Sequence, residues 1–245
     1  NPNFSMVLGP WAHESVYSSE FGVLPKGVVL AFFDRWLQGR DTSPKLPRMI
    51  AFDNIPPSTT GEQQVDSRWN AFETWPPVET VQKTWNLLGN GTLSEAEGEA
   101  GQVSYSGLQG SVIFDTPVFD EAMTLAGPLT AQLKLFADST DANIFARVDD
   151  IDPNGVLTEK GHGAQLKMSH RESSSKPSQI EAGKVYEVSM DIPSKFWTIQ
   201  KGHRLRFTIN SFDTTSPELS LSNVTVKTGK DGSRLTGSLL KLSGN

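Results

Sequence analysis

Lys201-Gly202-His203-Arg204-Leu205-Arg206-Phe207-Thr208-Ile209-Asn210 is the stretch from which the fold can be read. Leu205, Phe207 and Ile209 alternate with Arg204, Arg206 and Thr208, and a period of two gives a strand one dry face and one wet face. The same alternation recurs upstream. Leu133 and Leu135 alternate with Gln132 and Lys134, Ile144, Ala146 and Val148 with Arg147 and Asp149, and Tyr186, Val188 and Met190 with Glu187 and Ser189. Turn-forming residues separate these segments, since 21 Gly and 15 Pro are spread along the 245 residues. Several half-buried strands joined by such turns predict a mainly β chain, a two-sheet antiparallel sandwich of jelly-roll or immunoglobulin-like topology.

One segment near the start departs from this period. Between Pro25 and Gly39, Val29, Phe33, Trp36 and Leu37 share a helical stripe, with Pro ahead of the start and Gly past the end. That predicts a helix within Gly27 to Gln38. An amphipathic stripe has to be covered, so it is expected to face the sandwich or a second copy of the chain in a homodimer. After it comes a stretch with Pro44, Pro47, Pro56 and Pro57, polar from Ser58 to Asp66, with a short strand at Met49 to Phe52. The expected division is therefore residues 1–45, a linker over 46–69, and the sandwich over 70–245.

Composition removes several function classes. Cysteine is absent, which excludes a disulfide framework, thiolate metal sites and a cysteine nucleophile. Lys plus Arg number 22 against 28 Asp plus Glu, a net charge of -6 without a basic block, so no nucleic-acid partner is expected. The longest apolar run, Val28 to Phe33, is far short of the roughly 20 residues of a spanning helix, so no membrane partner is expected either. The chain opens Asn-Pro-Asn, which reads as a processed protein or a piece of a longer one.

Chemistry points first to Phe4-Ser5-Met6-Val7-Leu8-Gly9-Pro10-Trp11-Ala12-His13, where a short apolar strand runs into a turn and presents a histidine as a general base would be placed. Gly9-Pro10-Trp11-x-His13, followed by Phe32-Phe33-Asp34-Arg35-Trp36-Leu37-x-Gly39, resembles the histidine loop and last helix of the X-Pro dipeptidyl-peptidase and cocaine-esterase group of α/β-hydrolases. Further downstream, Leu125-Ala126-Gly127-Pro128-Leu129, the run Asp138 to Gly155, Ser169-His170-Arg171 and Lys201 to Arg206 resemble, in that order, the C-terminal jelly roll of the same family.

The resemblance implies a Ser, acid, His triad in that chain order, with the serine on a G-x-S-x-G elbow. No such elbow occurs here, and the matching histidine is His13. The chain then looks like the tail of such an enzyme. It would comprise the last core strand, the histidine loop and last helix of the hydrolase domain, and a galactose-binding-like jelly roll. The implied partners are the missing N-terminal hydrolase domain and a small acyl ester or peptide substrate. No metal and no organic cofactor is implied.

Other features read as structural. His170 and His203 sit beside strands, and His162 stands between two glycines. Asp150-x-Asp152-x-Asn154-Gly155 copies the first half of an EF-hand loop, but its twelfth position is Gly161 instead of Glu, and the sequence is equally an ordinary hairpin tip. Asn3, Asn90 and Asn223 head N-x-Ser/Thr sequons. Trp69, Trp75 and Trp85 either pack where two domains meet or form a sugar platform. The latter belongs to the rival reading, a stand-alone carbohydrate- or ligand-binding sandwich, which predicts a row of coplanar aromatics on an open sheet face.

Overall fold

The computed structural model describes residues 4–9, 26–40, 45–53, 69–108, 110–161, 163–212 and 220–240. At its start, β1 (Met6–Leu8) and β2 (Met49–Phe52) run parallel, with Met6 opposite Met49 and Leu8 opposite Ala51. Parallel neighbours need a crossover, and α1 (Lys26–Gln38) supplies it, which makes a β–helix–β unit. The helix stops where Gly39 takes φ 65° and the Arg40 N–H closes on the Asp34 carbonyl at 3.1 Å, satisfying one of the orphan carbonyls of the last turn. Antiparallel to β2 lies β3 (Trp69–Phe72), completing a three-stranded sheet. The stretch expected as a linker thus contains β2 and the first residue of β3, and both are integrated into this sheet.

The rest is a two-sheet sandwich. Its strands are β4 (Thr80–Leu87), β5 (Leu93–Ser94), β6 (Gly101–Tyr105), β7 (Ser111–Asp115), β8 (Met123–Ala137), β9 (Asn143–Ile151), β10 (Leu157–Glu159), β11 (Gly163–Lys167), β12 (Tyr186–Ile199), β13 (Arg204–Asn210), β14 (Val224–Thr228) and β15 (Arg234–Leu240). The seven-stranded sheet has the order β5-β4-β15-β8-β14-β6 with β12 also on β8, and the five-stranded sheet the order β10-β9-β13-β7 with β11 also on β9. Strand pairing within both is antiparallel.

β8 is the spine. It holds β12 along one edge, from Tyr186 opposite Leu135 to Ile199 opposite Met123, and shares the other between β14 and β15. The β12 ladder slips between Ile192 and Lys195, facing the Gly127-Pro128 step, where proline has no N–H to donate. Gly127 takes φ 150°, and a Cβ there would come within 2.8 Å of the Pro76 ring, so only glycine fits.

The alternation puts the core where the sequence placed it. Leu205, Phe207, Ile209, Ile144, Ala146, Val148, Leu133, Leu135 and Met190 all lie in one buried cluster between the sheets. On β13 the odd positions are buried and the even ones half-buried. Each buried Leu, Ile or Phe contributes about 1.5–3 kcal/mol relative to exposure.

A second, smaller cluster joins the three-stranded sheet to the outer face of the seven-stranded one. Met49 and Ala51 of β2 meet Ala126, Phe196 and Leu240, with Leu8, Phe72 and Trp75 packed around them. The Phe196 ring lies 5.3 Å from Phe72 and 6.3 Å from Trp75.

Candidate active site

His13 lies outside the described residues, as do Trp11 and His162. What the structure describes is the frame on either side of the histidine segment. β1 leads into it, α1 follows it, and β2 returns beside β1. β1 is held to β2 by its ladder, with the Met6 N–H on the Arg48 carbonyl at 2.9 Å and the Ser5 hydroxyl on the Pro47 carbonyl at 3.0 Å. Its last residue, Leu8, packs on the cluster formed with the sandwich.

Immediately past β2, Asp53 is buried and reaches into the sandwich. Its carboxylate accepts the Thr198 backbone N–H at 2.8 Å and the Thr198 hydroxyl at 2.6 Å. The Thr198 hydroxyl has a single proton, and that proton serves Asp53. The 2.7 Å contact between the two threonine hydroxyls must therefore be donated by Thr124. Sequence reading missed this chain of bonds, because an aspartate after a four-residue apolar strand looks like an ordinary strand end and its partner is 145 residues away.

Of the two covers expected for the stripe, the sandwich is not the one: Phe33, Trp36 and Leu37 are 49%, 42% and 76% exposed, as is the adjacent Leu30 at 64%, while Val29 is half-buried. The nearby sandwich face is already occupied by β2, Phe72 and Trp75. Amphipathicity announces that a face needs a partner without saying which.

His203 pairs with an acid inside the sandwich. Its Nδ1 lies 2.9 Å from Asp150 Oδ1, with the histidine side chain 14% exposed and the aspartate fully buried. Among the described residues no serine hydroxyl hydrogen-bonds to this ring. The pair joins the start of β13 to β9, and the His203 carbonyl accepts the Phe119 N–H at 2.8 Å. His170 turns its Nδ1 to the Ser174 carbonyl at 3.1 Å, inside a loop.

The EF-hand-like stretch resolves as a turn. Asp152 Oδ1 accepts the N–H groups of Asn154 at 2.8 Å and Val156 at 2.7 Å, and the Val156 bond above all holds its carboxyl below the usual carboxylate range. No group of three or more His, Asp or Glu that could hold a metal occurs among the described residues. Of the sequons, Asn223 donates its side-chain amide to Asp138 at 2.6 Å, whereas the exposed Asn90 accepts the Thr92 N–H at 3.2 Å at a turn.

Trp69, Trp75 and Trp85 pack and do not form a platform. Trp85 is buried in the main core, Trp69 stacks edge-on to Phe52 at 5.0 Å, and Trp75 joins the Phe72 and Phe196 group. The uncovered part of the seven-stranded sheet is polar instead, with Thr84 to Thr236 at 3.1 Å and Thr130 to Asp191 at 3.0 Å. A groove of about 340 Å³ beside it is lined by Asn86, Gln132, Lys134, Glu187, Asp231 and Arg234 among others, with no aromatic ring. The aromatic row required by the rival reading is missing among the described residues.

Comparison with known proteins agrees with this architecture. The chain is 23% identical over 264 residues to cocaine esterase from Rhodococcus sp. (strain MB1 Bresler), a match spanning 86% of this chain and 44% of the esterase. Its fold matches a CocE/NonD family hydrolase from Staphylococcus aureus with a TM-score of 0.73 at 16% identity, over 87% of this chain and 45% of that one. An aminopeptidase from the marine sediment archaeon Thaumarchaeota archaeon matches with a TM-score of 0.75 at 16% identity, over 97% of this chain and 50% of that one. The chain thus spans half the length, or less, of each of these three proteins. Residues 46–232, which take in β2, β3 and nearly all of the sandwich, fit the model of the X-Pro dipeptidyl-peptidase C-terminal non-catalytic domain, and the chain belongs to that family.

Proposed function

We propose that this chain is the C-terminal part of a serine hydrolase that cleaves an ester or amide bond through an acyl-enzyme, with His13 as its general base. One observation carries the reading. The Gly-Pro-Trp-x-His segment joins the C-terminal end of parallel strand β1 to the crossover helix α1, and an α/β-hydrolase places its base on a loop after a core strand, last in the triad order. His13 takes the proton of the attacking serine and returns it to the leaving group. The sandwich packs against the hydrolase domain and walls part of the cleft, in keeping with a family described as non-catalytic. The triad serine and acid, and the choice between ester and X-Pro amide, belong to the rest of the protein.

An imidazole without its nucleophile does not turn over substrate. The isolated chain should show no saturable hydrolysis of p-nitrophenyl acetate or of an X-Pro anilide. Saturable turnover abolished by a serine-directed phosphonate would contradict the assignment.

The same reading supplies a partner for α1. Its exposed stripe of Leu30, Phe33, Trp36 and Leu37 is the face that meets the hydrolase domain. In the isolated chain that face should drive concentration-dependent self-association to a homodimer. Light scattering should show the dimer and its loss in the double variant Phe33→Glu, Leu37→Glu. A wild-type monomer at every concentration would mean that the stripe needs no cover.

A further inference from the structure

The three N-x-Ser/Thr sequons differ in what their side chains are doing, and we propose that Asn90 is an acceptor for N-linked glycosylation, its amide taking an oligosaccharide from a lipid pyrophosphate donor. Asn90, Gly91 and Thr92 make the turn between β4 and β5. The turn is well tied, with the Gly91 N–H on the Leu88 carbonyl at 3.0 Å, the Leu88 N–H on the Thr92 carbonyl at 2.9 Å, and Gly91 at φ 83°. Asn90 is exposed, and its Oδ1 accepts the Thr92 N–H at 3.2 Å, the local bond by which an asparagine side chain favours a turn. That bond occupies the oxygen and leaves the nitrogen. Asn90 Nδ2 makes no hydrogen bond among the described residues, and neither does the Thr92 hydroxyl. Both groups that define the sequon are therefore unengaged.

The other two sequons are spoken for. Asn223 gives its Nδ2 to Asp138 Oδ2 at 2.6 Å and its backbone N–H to Oδ1 at 2.9 Å, so a sugar on that nitrogen would crowd the carboxylate. Thr225 of the same sequon is buried, with its hydroxyl 2.8 Å from that of Ser104. Ser5 donates its hydroxyl to the Pro47 carbonyl at 3.0 Å, and Asn3 lies outside the described residues. In the transfer, Asn90 Nδ2 attacks C1 of the first sugar. The C1–O bond to the pyrophosphate breaks, its electron pair leaves with the phosphate, and Nδ2 gives up one proton to solvent. The place suits a bulky group. β4 starts at Thr80, opposite Leu240 of the junction cluster, and ends at Leu87, about 23 Å away at the rise of a strand. The glycan stands beyond that far end, clear of the three-stranded sheet.

The test is a peptide map of the full-length protein secreted from yeast cells. Treatment with peptide N-glycosidase in heavy-oxygen water converts a glycan-bearing asparagine to a labelled aspartate, which tells it from spontaneous deamidation at the Asn-Gly step. The label should appear at position 90 and not at position 223. It should be lost in Thr92→Val, which keeps the shape of the side chain without its hydroxyl, and kept in Thr92→Ser. If Thr92→Val is not secreted, the wild-type map decides alone. An unlabelled Asn90 peptide, a label at position 223 in its place, or a label at position 90 that survives Thr92→Val overturns the proposal. The readout is covalent, so it is independent of the role assigned to His13.

Discussion

In the full-length protein, His13→Ala should lower kcat by on the order of 10⁶-fold with little change in melting temperature, because a triad acts as a unit and loses nearly everything with its base. Trp11→Phe is the neighbouring control. It keeps an aromatic body in the turn and should cost far less. His203→Ala should do the reverse. Its ring satisfies Asp150 Oδ1 at 2.9 Å in a buried site, so its removal should destabilise by about 1–3 kcal/mol and spare the chemistry of whatever stays folded. Steady-state kinetics and thermal melts on the three variants separate the roles. An inactive but stable His203→Ala beside a fully active His13→Ala would put the base on the wrong histidine.

Phe196→Ala should carry the largest stability effect at the junction of the two sheets, about 3–5 kcal/mol. Phe196 is 2% exposed, touches the Phe72 and Trp75 rings, and lies in the cluster that seats Met49 and Ala51. Its neighbour Trp197 points the other way, into the main core, so the two side chains hold opposite faces of β12. The cavity left by the ring faces β2, so the loss should appear chiefly as loosening of the three-stranded sheet. In denaturant titration the midpoint should fall, and hydrogen exchange should quicken at Met49–Phe52 before it does at Arg204–Asn210. Equal protection in both strands would mean that the small sheet and the sandwich unfold as one unit.

The strands legible in the sequence were those with one wet and one dry face. Leu205, Phe207 and Ile209 read as core and are core, because the outward positions of β13 are arginine, threonine and asparagine. β9 was legible in part. Almost every position in it is buried, including Asp149 and Asp150, so its outward face carries no simple hydrophilic signal. β4 blurs the period from the other side, with Val81 58% exposed on a strand whose inward residues include Trp85. Which strand pairs with which was not readable, since β8 alone holds three partners along its length.

The helix was legible and its surroundings were not. Four apolar residues at helical spacing fix α1, while nothing in them says that the sandwich face is already filled by Phe72 and Trp75. The Asp53 to Thr198 clamp was hidden for a different reason. Its bonds are tertiary, made across 145 residues, and neither residue type is unusual where it stands.

On the proposed function, the nucleophile lies outside these 245 residues and His13 is the base. Labelling the full-length protein with a fluorophosphonate and mapping the adduct by peptide mass spectrometry tests it directly. The account predicts one phosphonylated serine, outside residues 1–245, whose labelling rate collapses in His13→Ala. A stoichiometric adduct on a serine within residues 1–245, or labelling indifferent to His13, would contradict it.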